Sequence, residues 1–202
     1  MLTRIFLTSF FLFLSAGLAG AFSNPDGDFH KAKTKFQSGE YAEAAELLRR
    51  AVEHGHEAAQ VPLAAMYRSG QGVKQDLPKA FKLFTNAAYQ GFPNAQFTLA
   101  MMYRLGQGTE TNHEEAQKWF RRAAEVGHAE AQNSLGVMYE KGRSVEEDYV
   151  AAVMWYHVAA SSGSRRGVDN KKRLSKKLNA AEIERAKRLA LACMRNHYKR
   201  CG

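Results

Sequence analysis

Residues 95–127 read AQFTLAMMYRLGQGTETNHEEAQKWFRRAAEVG. Two helical patterns lie in this stretch, joined by a glycine loop. In the first, Ala95, Leu99, Met102 and Tyr103 recur at i, i+4, i+7 and i+8, which is one apolar face of a helix. In the second, Ala116, Phe120, Ala123 and Ala124 form a buried stripe by the same rule. The loop holds Gly106-Gln107-Gly108, where glycine suits positive φ. Asn112 is a good N-cap, and Asn112-His113-Glu114-Glu115 matches a capping box. Gly127, three residues past the end of the stripe, is a helix stop.

The same pattern recurs on both sides with a period of 36 residues, and such self-similarity signals a repeat architecture. Ala59, Ala95 and Ala131 are each followed by Gln. Tyr67, Tyr103 and Tyr139 are each preceded by Met. Gly70, Gly106 and Gly142 follow, then Ala80, Ala116 and Ala152, then Phe84, Phe120 and Tyr156. Asp76, Asn112 and Asp148 stand where each second helix begins. Pro62 requires the first helix of its unit to start near Ala59. Residues 28–56 keep the register through Ala44, Leu48, Ala51 and Gly55, with the loop cut to Ser38-Gly39-Glu40. Tyr103 and Phe120 are therefore expected to be packing residues.

The motif Ala-Gln…Leu-Gly…Tyr…Gly-x-Gly-Val…Asp…Lys-Ala…Ala-Ala…Gly resembles the Sel1-like repeat, a relative of the tetratricopeptide repeat. The resemblance implies an all-α fold, a right-handed α-solenoid of paired antiparallel helices, acting as a protein-interaction scaffold and often exported in bacteria. It implies units at 57–92, 93–128 and 129–164, a truncated tetratricopeptide-like unit within 22–56, and a basic helical cap over 165–202. Ser144, Thr109 and Pro62 depart from the pattern. Cysteine-rich members of this family have been linked to β-lactam handling, but the Cys pair in each repeat is absent here.

Composition sets outer bounds. The chain has 202 residues, 45% hydrophobic and 24% charged, which is that of a folded protein. Residues 1–21 are expected to be a secretory signal: a start with Arg4, an uncharged run from Ile5 to Gly17, and Ala19-Gly20-Ala21 before a cleavage between Ala21 and Phe22. The alternative is an uncleaved anchor, because Ile5 to Phe22 is just long enough to span a bilayer. The mature chain is expected in the periplasm or outside the cell, where disulfides persist. Cys193 and Cys201 are the only cysteines. Eight helical residues would hold their Cα atoms about 12 Å apart, too far for a bond. A disulfide thus requires the last helix to end near Asn196-His197 and the chain to fold back. Free thiols and a bond between chains are the alternatives.

The net charge of +9 is unevenly placed. From Ser164 onward the net is +10, and residues 1–163 carry 16 basic against 17 acidic residues. Val168, Leu174 and Leu178 are candidates to continue the packing surface, and Asn179-Ala180-Ala181-Glu182 opens another helix by a capping box. Lys171, Lys172, Arg173, Lys176 and Lys177 are either a solvated cap face or a contact for anionic lipid or cell-wall polymer. Nucleic acid is not expected, since few aromatics interleave with that cluster.

No catalytic signature stands out: there is no nucleophile elbow, phosphate loop or His-Glu-x-x-His. His54 and His56 are the closest histidine pair, but His56 and His128 occupy one repeat position where Phe92 and Ser164 also occur. No metal, cofactor or small-molecule substrate is therefore expected, and a hydrolase is the remote reading. The leading reading is an exported scaffold that binds a protein partner. Candidate contact positions on the first helices are Val61 and Arg68, Phe97 and Arg104, and Asn133 and Glu140, which vary while the packing positions repeat. The leader generates one test: the exported protein should have the intact mass of a chain starting at Phe22, and full-length chain in the membrane fraction would refute cleavage.

Overall fold

The computed structural model describes residues 24–199 and 201. The expected leader and its cleavage site lie outside them. Ten α-helices make up the described residues: α1 (Pro25–Gln37), α2 (Tyr41–Glu53), α3 (Gln60–Ser69), α4 (Leu77–Tyr89), α5 (Pro93–Leu105), α6 (His113–Glu125), α7 (Ala129–Lys141), α8 (Tyr149–Ser161), α9 (Arg165–Leu174) and α10 (Ala180–Arg195). Consecutive helices pack as antiparallel pairs, α1 on α2, α3 on α4, α5 on α6 and α7 on α8, and each pair stacks on the next. This is an α-solenoid.

Local chemistry repeats with the register. Asp76, Asn112 and Asp148 each accept a hydrogen bond from the backbone N–H three residues on, at 2.9, 3.0 and 2.9 Å. Each also donates its own backbone N–H back to a first-helix carbonyl, those of Tyr67, Tyr103 and Tyr139, at 2.9, 2.8 and 3.1 Å. That second bond corrects the capping box expected at Asn112. Its N–H is already committed to Tyr103, and the Glu115 carboxylate turns instead to Lys118 at 2.6 Å. The box at Asn179 and Glu182 is formed in full.

The Gln of each Ala-Gln pair also has a structural task. Gln96 and Gln132, both buried, donate from Nε2 to the carbonyls of Ala88 and Ala124 at 3.2 and 3.1 Å. Each thereby satisfies a last-turn carbonyl of the preceding helix, a group with no partner inside its own helix. Pro62 is the third residue of α3, after a single 3-10 turn at Glu57–Ala59, so its missing N–H costs no intrahelical bond. Gly72 and Gly108 hold positive φ, and a Cβ there would run into the backbone of Tyr41 and of Leu77. Ser144 takes the same left-handed conformation at φ 59° without being glycine, a cost of about 1 kcal/mol.

The core follows the repeat. Ala80, Phe84, Ala116, Phe120, Ala152 and Tyr156 form one buried spine with Leu99, Met102 and Leu135. Tyr103 packs against the core as expected, but only half-buried, its ring set edge-on to Phe81 at 5.2 Å.

The last second helix, α8, is apolar all round. Its residues Val153, Met154, Trp155, Tyr156 and Val158 are all buried. One period earlier, α6 carries Gln117, Lys118 and Arg122 where α8 carries Val153, Met154 and Val158. A helix apolar on every side needs cover on every side, and α7, α9 and α10 all pack against α8. In α9 the buried residues are Gly167 and Leu174. Val168, a candidate for that surface, is 47% exposed. Gly167 continues the series Ala59, Ala95 and Ala131, so α9 stands as the first helix of a degenerate fourth unit. A Cβ added at Gly167 would meet the Ala159 Cβ at 2.8 Å, which is why the smallest residue sits where α9 approaches α8.

Cys193 and Cys201 are bonded within the chain, with Cα atoms 5.0 Å apart. The helix stops at Arg195, and the chain turns back through His197 and Tyr198, both at positive φ. The closed loop is worth about 2–3 kcal/mol in the chain-entropy model. Arg121 of α6 then holds the returning tail, donating to the Cys201 carbonyl at 3.0 Å and to the Tyr139 hydroxyl at 3.1 Å. Phe120 is fully buried at the centre of this stack. Phe120→Ala should cost about 3–5 kcal/mol, read as a lower denaturant midpoint, and an unchanged midpoint would refute the packing assigned to it.

Candidate functional site

The first helices α3, α5 and α7 carry the candidate contact positions, and α9 extends their row. Grooves run between successive members of the row. The α3/α5 groove, about 440 Å³, includes Arg68, Phe97 and Met101 in its lining. The α5/α7 groove, about 260 Å³, includes Phe97, Met101, Arg104, Val137 and Arg143. Arg68 is exposed, while Val61, Phe97 and Arg104 are half-buried. Arg68, Phe97 and Arg104 line these grooves, while Val61 packs against the core.

Glu140 lines neither groove, and Asn133 reaches only the wall of the α5/α7 groove. Both are buried, each 6% exposed. Asn133 accepts from Asn170 Nδ2 at 2.9 Å. Glu140 accepts two hydrogen bonds from the Arg173 guanidinium, at 2.8 and 2.6 Å, and a third from the Tyr156 hydroxyl at 2.6 Å. The reason is α9, which lies where a further unit would lie and closes the third groove. Arg173 and the Tyr156 hydroxyl hold the Glu140 carboxyl below its ordinary range against the opposing effect of burial. Burial, then the Glu140 charge, raises the Tyr156 hydroxyl. This triad is a structural clasp, and it takes Arg173 out of the basic cluster.

The other members of that cluster are placed differently. Lys172, Lys176 and Lys177 are exposed and Lys171 is half-buried. Lys177 stands over the Tyr149 ring at 5.1 Å. None of the four is ion-paired among the described residues. Among those residues no cluster of His, Cys, Asp and Glu could hold a metal, and no helix is long and apolar enough to cross a membrane.

His56 and His128 are more than a tolerant loop position, which repeat alignment alone did not reveal. Each caps the helix after it through Nδ1, accepting from Ala59 N–H at 3.1 Å and from Ala131 N–H at 3.2 Å. Each ring also stacks on a phenylalanine, His56 on Phe29 at 4.2 Å and His128 on Phe97 at 4.7 Å. Ser164 caps α9 from the same register with its hydroxyl. A signal for this existed in the sequence: Ser is a usual N-cap, and His shares its position.

Comparison with known proteins agrees with this geometry. The family model for the Sel1 repeat matches residues 38–56, 58–92, 93–128 and 129–164. Its first segment takes in α2, which the sequence pattern assigned to a shortened tetratricopeptide-like unit. A crystal structure of a protective antigen present in uropathogenic Escherichia coli strains, displaying an SLR fold, is 30% identical with a TM-score of 0.78. That alignment covers 88% of this chain and 40% of the antigen, so this chain spans less than half of that relative. A Sel1 repeat protein from Oxalobacter formigenes is 27% identical at TM-score 0.69, over 81% of this chain and 69% of its own. A Klebsiella pneumoniae Sel1 repeat structure, 23% identical at TM-score 0.50 over 77% of this chain and 80% of its own, shares the fold. Comparison with curated proteins finds no match.

The histidine cap has a pH signature. Burial lowers the His128 pKa below its ordinary 6.5. Folding thus favours the neutral ring, whose Nδ1 can accept. The stability it contributes is present above the unfolded value and is lost as pH falls through the folded value. His128→Ser keeps a capping oxygen that does not titrate. Its melting temperature should fall less than that of the wild type between about pH 7 and pH 5. Parallel curves for the two proteins would refute the role of the ring.

Proposed function

We propose that this chain, which belongs to the Sel1 repeat family, is an exported scaffold that binds a protein partner along the grooves between α3, α5 and α7. One observation carries the reading: the first-helix row offers two open grooves with aromatic and cationic linings, and α9 closes the third. A solenoid that needed only to fold would gain by covering Phe97 and Met101. Sel1-repeat proteins generally act as protein-interaction scaffolds, which supports a non-catalytic role for this member. The Cys193–Cys201 bond supports export, because such bonds persist in oxidising compartments. The leader at 1–21 supports the same destination, the periplasm or the secreted fraction.

A second reading rests on the four unpaired lysines of α9 and the turn after it. There the cap docks on anionic lipid or cell-wall polymer, and the repeats act as a spacer. The two readings separate experimentally. A photocrosslinking residue at Arg68 or Thr98, in the open grooves, should capture a discrete partner in the exported fraction. The same residue at Tyr89, exposed on a second helix, should not. Crosslinks that are equal at all three positions would refute groove binding. Salt-sensitive binding to anionic vesicles, lost on neutralising Lys171, Lys172, Lys176 and Lys177, would favour the second reading.

A further inference from the structure

The grooves have a charge pattern that the repeat register makes legible. Arg68, Arg104 and Glu140 share one position in successive first helices. Across the closed α7/α9 groove, Glu140 meets Arg173. One period before Arg173 stands Val137, and one before that stands Met101. The ion pair that seals the last groove therefore has no counterpart in the open ones. Arg104 shares its groove with apolar Val137, and Arg68 shares its own with Met101.

Arg104 is the least satisfied of these cations. Its Nε is enclosed with no hydrogen-bond partner, and its Nη2 reaches only the Met101 sulfur at 3.1 Å. Arg143, from the loop after α7, lines the same groove. Arg104 and Arg143 thus face one groove, and burial, then the like charge of Arg143, lowers the Arg104 pKa. Neither is ion-paired among the described residues. Arg166 adds a third positive charge. Glu130 is the one carboxylate lining the groove; it accepts from the Ser164 hydroxyl at 2.7 Å and lies 4.0 Å from Arg166.

We propose that the α5/α7 groove takes an acidic peptide segment of the partner, with a carboxylate accepting from Arg104 and Arg143 and an apolar side chain seated on Phe97 and Val137. The proposal rests on the scaffold reading and specifies the chemistry of what is bound. Charge complementarity argues for the carboxylate, since the half-buried Arg104 guanidinium, without an ion-pair partner, gains most from a bidentate acceptor and Arg143 adds a second donor at the rim. The apolar floor argues for a peptide over an anionic polymer, which would bring nothing to cover Phe97 and Met101. Glu140 with Arg173 shows the same contact made inside the chain with the charges exchanged.

The test is fluorescence anisotropy with a labelled peptide alternating glutamate and leucine. A lysine–leucine peptide and a leucine-free polyglutamate serve as comparators. The glutamate–leucine peptide should bind best and weaken as salt rises. Arg104→Gln and Arg143→Gln should each weaken it by about tenfold or more, the scale of one charged hydrogen-bonded contact. Arg143 is exposed in a loop, so its variant reports on binding even if Arg104→Gln disturbs packing. Arg104→Glu should shift preference toward the lysine–leucine peptide. Unchanged binding in both glutamine variants would overturn the proposal, as would equal binding of leucine-free polyglutamate. If a groove crosslink to a partner persists while these peptides bind no better than the lysine–leucine one, the acidic segment is overturned and the scaffold reading stands.

Discussion

A second helix buries its stripe against its own partner helix and against the unit that follows, so the end of the stack depends on how the last stripe is covered. Phe84 lies on α4, against which α5 packs, and Phe120 on α6, against which α7 packs. Tyr156 has no full unit after it. The chain answers with a first helix of shortened form, α9, and a second, α10, that packs on α8 instead of continuing the row. The remaining end features follow from that arrangement. The apolar outer side of α8 calls for α10. The turn back at His197 and Tyr198 brings Cys201 beneath α10, and Arg121 fixes the tail to α6. The basic composition of the end also fits, because the face a terminal unit shows to water must be polar.

Most of the fold could be read from residues 57–164, because each choice there is made three times. Ala, Leu, Met and Tyr at fixed offsets leave one arrangement that buries them all. What escaped was set by contacts that occur once. Asn133 and Glu140 look like groove surface in the alignment, since their equivalents Phe97 and Arg104 are half-buried in a groove lining; contacts from Asn170 and Arg173 of α9 cover them. Val168 looked like a core residue by hydropathy, yet the close approach to Ala159 needed the glycine before it. The disulfide could be reasoned out because two cysteines in one tail, with an expected secretory leader, make a pairing within the chain the simplest arrangement. The clasp of Glu140, Tyr156 and Arg173 could not, because its members come from three helices and its carboxylate sits at a position that is arginine in the two earlier units.

The candidate site was half legible for the same reason. Variation at the Val61 and Arg68 positions marks residues outside the repeated packing face, and Arg68, Phe97 and Arg104 line grooves while Asn133 and Glu140 are buried. Whether such a residue is idle or used is decided by its partners. Arg104 has a buried nitrogen with no acceptor, a cost that a folded chain bears only where something offsets it. Glu140, with three donors, shows what satisfaction looks like one unit along.

The two ends of the stack are tied down unequally. At the C-terminal end a covalent bond closes the last turn over 8 positions, and Arg121 ties that turn to a helix 80 positions earlier in sequence. At the other end α2 meets α3 along only a short stretch, and an apolar cleft with Phe29 and Phe36 in its lining opens beside them. A force applied along the chain would therefore peel α1 and α2 away first, while the disulfide-tied turns held. The stack has a direction of failure: it loosens from its beginning, and the units bearing the α5/α7 groove stand on the anchored side of the break.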